Sequence, residues 1–278
     1  MTVRRLSAGL MAAALLTPGL AACAPTGDGT TGPTATPSAT ATPTGAAGDA
    51  DAKQALLDST REISNGNFRF RMSGAGSTAE GQVHQPSQSA QMQVSIGEPT
   101  DDLAMTLDLI HATPDSWVKL DLKGAAASSV PGRDRLNLGK YQHLDQTRIQ
   151  GNRNLGFDFE KVDPAGSAVL TQAITEVRRT GDGAYAGTID LSKAAEAGSL
   201  DQGMITALGA QANSVPFTAT TDAQGRLTEM VLQIPGTSEA ANQEIRVTYS
   251  DYGNATAAQK PPADQVVEAP PELYNLFD

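Results

Sequence analysis

Phe68-Arg69-Phe70-Arg71-Met72 places an apolar and a basic side chain on opposite faces at each step. A strand has a side-chain period of two, so the stretch predicts a half-buried strand with one dry and one wet face. The same alternation recurs downstream. Met92, Val94 and Ile96 alternate with polar residues, as do Leu103, Met105, Leu107 and Leu109. Val118, Leu120 and Leu122 alternate with Lys119 and Asp121. Strands of this one-sided kind belong to antiparallel sheets, because strands of parallel sheets are apolar on both faces. Turn signals separate them at Gly74 and Gly76, at Gly81, at Gly97 with Pro99, and at Pro114-Asp115.

Outward from this block, residues 51–64 predict a helix capped by Asp51, with Ala52, Ala55, Leu56, Ser59 and Ile63 at helical spacing and Asn65-Gly66-Asn67 as its stop. Residues 128–157 carry Gly132, Gly139, Gly151 and Gly156, which predicts loops with one short strand near 141–144. Residues 165–175 predict a helix after Asp163-Pro164. Gly181-Asp182-Gly183 joins residues 176–179 to 184–190 as a hairpin. Two short helices follow, at 191–197 and 200–212, the second with Met204, Ile205 and Leu208 on one face. Strands at 215–221, 226–234 and 244–249 close the domain. The order predicts an α+β fold: one long antiparallel sheet, strongly curved, with a few helices on its concave side.

The N-terminal residues predict where this domain works. Arg4 and Arg5 precede an apolar run over residues 6–20, which ends in Leu20-Ala21-Ala22-Cys23. A positive start, an apolar stretch short for a bilayer span and a lipobox before the sequence's one cysteine form a lipoprotein signal. Cleavage would remove residues 1–22 and leave a diacylglycerol on the Cys23 sulfur, with a further acyl chain such as palmitate on the new amino terminus. Two lipid signals anchor durably, at about 0.8 kcal/mol per buried methylene. Arginines ahead of the run orient the remainder outward, which predicts the extracytoplasmic face of the plasma membrane. The alternative is an ordinary cleaved signal with an incidental cysteine, which would leave an unpaired thiol in an oxidising compartment.

Residues 24–50 are Thr, Pro, Gly, Ala and Ser with only Asp28 and Asp49 as charges. They cannot bury enough apolar surface to offset their ordering entropy. They predict a disordered tether with a span of about 30 Å. The domain limits expected are therefore 1–22 for the signal, 23–50 for the lipidated cysteine and tether, 51–268 for the folded domain and 269–278 for a tail. Loss of Arg4 and Arg5 with the signal takes the net charge from −11 to −13. A chain this acidic is repelled by phosphate backbones and anionic head groups, which argues against nucleic acid and against peripheral membrane attraction without a covalent anchor.

Three strings carry a resemblance. The first is Val162-Asp163-Pro164 with the later Gly183-Ala184-Tyr185-Ala186-Gly187-Thr188-Ile189-Asp190-Leu191. The second is Phe217-Thr218-Ala219-Thr220-Thr221-Asp222-Ala223-Gln224-Gly225-Arg226-Leu227. The third is Val247-Thr248-Tyr249-Ser250-Asp251-Tyr252-Gly253-Asn254, followed by Pro261-Pro262. Behind a lipobox, in this order, they resemble actinobacterial cell-envelope lipoproteins of the LppX/LprG type, whose fold is similar to the carrier LolA. The resemblance covers roughly residues 51–268. It implies an unclosed half-barrel whose helices enclose an apolar cavity for the acyl chains of a lipid or lipoglycan, carried without catalysis. The expected lining is Phe70, Met72, Val94, Leu107, Leu120, Val169, Leu208, Phe217, Leu232 and Val247. Met72, Met92, Met105, Met204 and Met230 all lie on predicted apolar faces, and flexible thioethers suit varied ligands; a filled core is the plain alternative. A sensor or interaction lipoprotein on the same scaffold is the competing function, with a protein such as a membrane transporter as its partner.

Signatures of catalysis do not occur in the sequence: there is no G-x-S-x-G, H-E-x-x-H, P-loop or Rossmann glycine pattern. His84, His111 and His143 lie far apart, in or beside turn-like segments, and predict no metal site. Asp101-Asp102 reads as a solvated turn rather than an acid-base pair, Asp251 as a turn residue with a strand-end role at the cavity mouth as its alternative, and Trp117 as core or rim packing with a ligand contact as its alternative. No enzyme activity and no cofactor are expected.

Overall fold

The alternating segments become neighbours in one sheet in the computed structural model, which describes residues 45–277 apart from 75, 99, 131, 153, 197–201 and 238–240. The expected signal, Cys23 and most of the tether lie outside the described residues. The strands are β1 (Asn67–Gly74), β2 (Ser77–His84), β3 (Ser89–Ile96), β4 (Ala104–Ala112), β5 (Asp115–Lys123) and β6 (Tyr141–His143), then β7 (Ile174–Gly181), β8 (Ala184–Ile189), β9 (Val215–Thr221), β10 (Leu227–Ile234), β11 (Gln243–Ser250) and β12 (Val266–Glu268). Helices are α1 (Gly45–Ser59), α2 (Arg61–Ser64), α3 (Gln146–Ile149), α4 (Ser167–Gln172), α5 (Leu191–Glu196), α6 (Gln202–Leu208) and α7 (Pro271–Leu276).

Among the described residues the twelve strands form a single curved, unclosed sheet in the order β12-β6-β5-β4-β3-β2-β1-β11-β10-β9-β8-β7. Every pairing is antiparallel except β12 with β6. Its centre joins the first strand to the eleventh, with Phe70 opposite Tyr249 and Arg69 opposite Ser250. The α+β expectation and the antiparallel sheet are therefore what the chain forms.

The dry faces of the strands define an inner face with two clusters. The first gathers Phe68, Phe70, Val247 and Tyr249 from the centre with Phe217, Leu232 and Ile189, under Leu56 of α1, Leu170 of α4 and Leu208 of α6. Phe68 meets Tyr249 edge to face at 5.4 Å, and each such fully buried side chain stabilises by about 1.5–3 kcal/mol. The second gathers Leu107, Leu109, Val118 and Leu120, covered by Leu144, Ile149, Leu155 and the α7 residues Leu273 and Tyr274. On the opposite face a small third cluster holds Ile110, Ala112, Trp117 and Ala258.

After β11 the chain forms a strap across one end of the sheet. Ala255 N donates to Asn67 Oδ1 at 3.0 Å, Ala258 N to Ser89 Oγ at 2.9 Å, and Lys260 Nζ to Asp115 Oδ2 at 2.9 Å. These partners are the first residues of β1, β3 and β5, so one segment staples three strand ends.

Several local expectations differ from the structure. The first helix begins at Gly45, inside the expected tether, and is interrupted at Thr60 before α2. Gly81 is no turn: it lies within β2, where a β-carbon would collide with the Gln91 carbonyl of β3. Ile174 leaves the expected helix for β7, and α4 is fixed instead by Asp163, whose carboxylate accepts from Ser167 N at 2.8 Å and Ala168 N at 3.0 Å. Burial pushes the Asp163 carboxyl upward against the pull of those amides. Residues 269–278 are not a free tail, since α7 packs Leu273 and Tyr274 into the second cluster. His111 stands inside β4 rather than in a turn.

A candidate apolar site on the inner face

Registered pairs show how the inner face is built between the two clusters. One row runs Tyr249, Phe70, Gly81, Met92, Leu109, Val118, Gln142 across β11, β1, β2, β3, β4, β5 and β6. The next runs Val247, Met72, Ala79, Val94, Leu107, Leu120. On β2 the inner residues shrink from Val83 to Gly81, Ala79 and Ser77. They form a strip of small side chains, a trough in side-chain size, between Phe70 and Met72 of β1 and Met92, Val94 and Ile96 of β3, with the Phe70 ring over Gly81 and Ala79 buried.

This trough lies where the clusters meet. Met92 packs against both; Met72 belongs to the margin of the first, Val94 and Met105 to that of the second. All four are only half-buried. Ile96 and Leu103 are 45% and 43% exposed at the same end of β3 and β4. Val169 of α4 and Met204 and Ile205 of α6 are further half-buried residues against the first cluster.

The ten expected lining residues divide accordingly. Phe70, Leu208, Phe217, Leu232 and Val247 are buried in the first cluster, with Met72 and Val169 at its margin. Leu107 and Leu120 are buried in the second, with Val94 at its margin. Cys23 lies outside the described residues. Of the ten, Met72 and Val94 flank the trough and Phe70 closes its buried end. Sequence reading missed Gly81 and Ala79 as its floor and did not single out Met92 as its joint. The signal for Met92 was present in the Met92-Val94-Ile96 alternation; that for Gly81 was masked because a glycine reads as a turn.

The lining of thioethers and hydrocarbon can hold an apolar chain by burial, at about 0.8 kcal/mol for each methylene removed from water. Polar groups lie at its far side. His111 is buried on the inner face of β4, with its ring 5.7 Å from that of Phe157 and Nδ1 2.9 Å from Ser116 Oγ. Burial pushes its pKa down to about 4, so it is neutral at pH 7. Among the described residues, His111 Nε2 and both amide atoms of the fully buried Gln142 have no hydrogen-bond partner.

The remaining candidates are structural. His143 sits between Asp115 and Glu268, at 3.2 and 3.4 Å, where β5, β6 and β12 meet. Asp101 accepts from Glu98 N in an exposed turn, Asp251 pairs with Arg69 at 3.4 Å, and Trp117 is buried in the third cluster. Among the described residues no group of three or more His, Cys, Asp or Glu could hold a metal, and no helix is long and apolar enough to cross a membrane. No family model matches the chain, and no curated protein matches it.

Proposed function

We propose that this protein is a lipoprotein of the cell envelope, anchored through Cys23 to the extracytoplasmic face of the plasma membrane. It binds the acyl chains of a lipid or lipoglycan on the inner face of a LolA-like sheet and passes them on by partition, without covalent chemistry. The observation that carries this reading is the row of half-buried apolar side chains, Met72, Met92, Val94 and Met105, between two packed clusters. Core residues are normally covered; these are only half-buried, and they stand beside the small residues Ser77, Ala79 and Gly81 of β2. Methionine adapts to chains of different length and unsaturation.

Native mass spectrometry of the full chain purified from its own membranes tests the reading. A co-purifying lipid whose removal shifts the mass is expected; protein that carries none, before and after delipidation, counts against it. Cys23→Ala should move the protein from the membrane to the soluble fraction.

A second reading rests on Ile96 and Leu103, the large apolar side chains exposed near the β3–β4 turn. They fit an interaction module that meets a protein partner such as a membrane transporter. Loss of transporter capture on Ile96→Ser with lipid content unchanged would favour it.

A further inference from the structure

The opposite, wet face of the same strands carries a groove of about 530 Å³ crossing β11, β1, β2, β3 and β4. That volume is within the range of small-ligand sites. Two registered rows of polar side chains line it, with Phe70, Gly81 and Met92 between them, and the two rows differ. In one, Arg71 pairs with Glu80 at 2.5 Å, Gln93 donates to Asp108 at 2.6 Å, and Lys119 holds Asp108 at 2.8 Å. In that row Arg71, Glu80, Gln93, Asp108 and Lys119 find their partners among one another.

The other row runs Ser250, Arg69, Gln82, Gln91. Among the described residues the side chains of Ser250, Gln82 and Gln91, and of Thr248 beside Arg71, have no hydrogen-bond partner. Arg69 has only the loose contact to Asp251. Gln82 and Gln91 are direct cross-strand neighbours and could bond to each other, yet do not. The result is a ladder of free amides, hydroxyls and one guanidinium, repeated at the strand spacing of about 4.8 Å.

The charges lining the groove balance: Arg69 and Arg71 face Glu80 and Asp108. A chain of net charge −11 would in addition repel an anion. What remains is a surface that both donates and accepts hydrogen bonds without favouring either charge. Sugar hydroxyls, each a donor and an acceptor, are the chemistry that matches side-chain amides and a planar guanidinium.

We propose that this groove binds a neutral oligosaccharide laid across the strands, with Gln82 and Gln91 as its central contacts and Arg69, Thr248 and Ser250 flanking them. The site lies on the sheet face opposite the apolar trough and does not depend on lipid binding there.

Saturation-transfer NMR of the full folded chain with maltotriose, mannotriose and chitotriose tests it. At least one should bind. Gln82→Ala with Gln91→Ala should weaken that binding about tenfold, and Arg69→Lys should weaken it although the charge is kept. Thr218→Ala, exposed on the same face outside the groove, should leave it unchanged. The same trisaccharide linked to a dialkyl lipid separates a free glycan from a glycolipid head group. Equal loss for both forms in the double variant supports the groove. Failure of all three sugars to bind, or undiminished binding in the double variant, would overturn it. So would binding of the lipid-linked form alone, abolished by Met72→Ala.

Discussion

The ring of Phe70 lies directly over the backbone of Gly81, its cross-strand partner, so that a β-carbon on Gly81 would stand 3.0 Å from the ring edge. The glycine lets the aromatic wall of the trough settle onto its floor, and lets β3 approach from the other side. Gly81→Ala should therefore cost about 1–3 kcal/mol through overpacking. The midpoint of urea unfolding measures it, and an unchanged midpoint would show that the neighbours give way freely.

Met92 joins the two clusters while staying half-buried. Met92→Leu conserves volume and should change stability by less than about 1.5 kcal/mol. Met92→Ala should lower affinity for a fluorescent fatty-acyl probe several-fold while the far-ultraviolet circular dichroism stays the same. Equal probe affinity in the two variants would remove Met92 from the site.

His111 gives stability a pH dependence of defined sign. Its folded pKa is about 4 against 6.5 for the free side chain, and the cause is burial. The unfolded chain takes up the proton first, so stability falls as pH drops through 6.5 and this contribution levels off below about 4. The total is about 3 kcal/mol. Urea midpoints at pH 7, 5.5 and 4 for the native chain and for His111→Phe with Ser116→Ala should diverge over this window. Parallel curves would mean that the imidazole is more hydrated than its 3% exposure implies.

Deletion of residues 271–278 removes Leu273 and Tyr274 from the second cluster and takes away the Tyr274 hydroxyl to which Asp145 N donates at 2.8 Å. Loss of two buried side chains of this size should cost several kcal/mol, about 2–5 for each. Thermal unfolding followed by circular dichroism should show a large drop in Tm. A truncated chain as stable as the full one would mean that α7 is dispensable.

Strands with large side chains on the dry face were plain from alternation alone, as in Phe68 to Met72 and Val118 to Leu122. Strand β2 was not, because its dry face is Val83, Gly81, Ala79 and Ser77, and small residues give little hydrophobic contrast. The same smallness makes β2 the floor of the trough, so the least legible strand lies at the candidate site. Helix α7 escaped notice for another reason: its six residues are held by long-range contacts with Leu136, Leu144 and Arg148 rather than by local propensity. The partition of the apolar residues into two clusters depends on which covering segment each strand meets, and no sequence period encodes that.

The pairing of β1 with β11 at the middle of the sheet has a kinetic consequence. The left half, β1 to β6, holds the second apolar cluster, while the first is shared with the right half, β7 to β10, across the seam; each half exposes a long unpaired edge until β11 arrives late in the chain. Closing that seam requires contact between segments far apart in sequence, which slows folding and leaves strand edges open to other chains. A chain halted before Gln243 would hold two unfinished half-sheets with sticky margins, so assembly must wait for nearly the whole polypeptide.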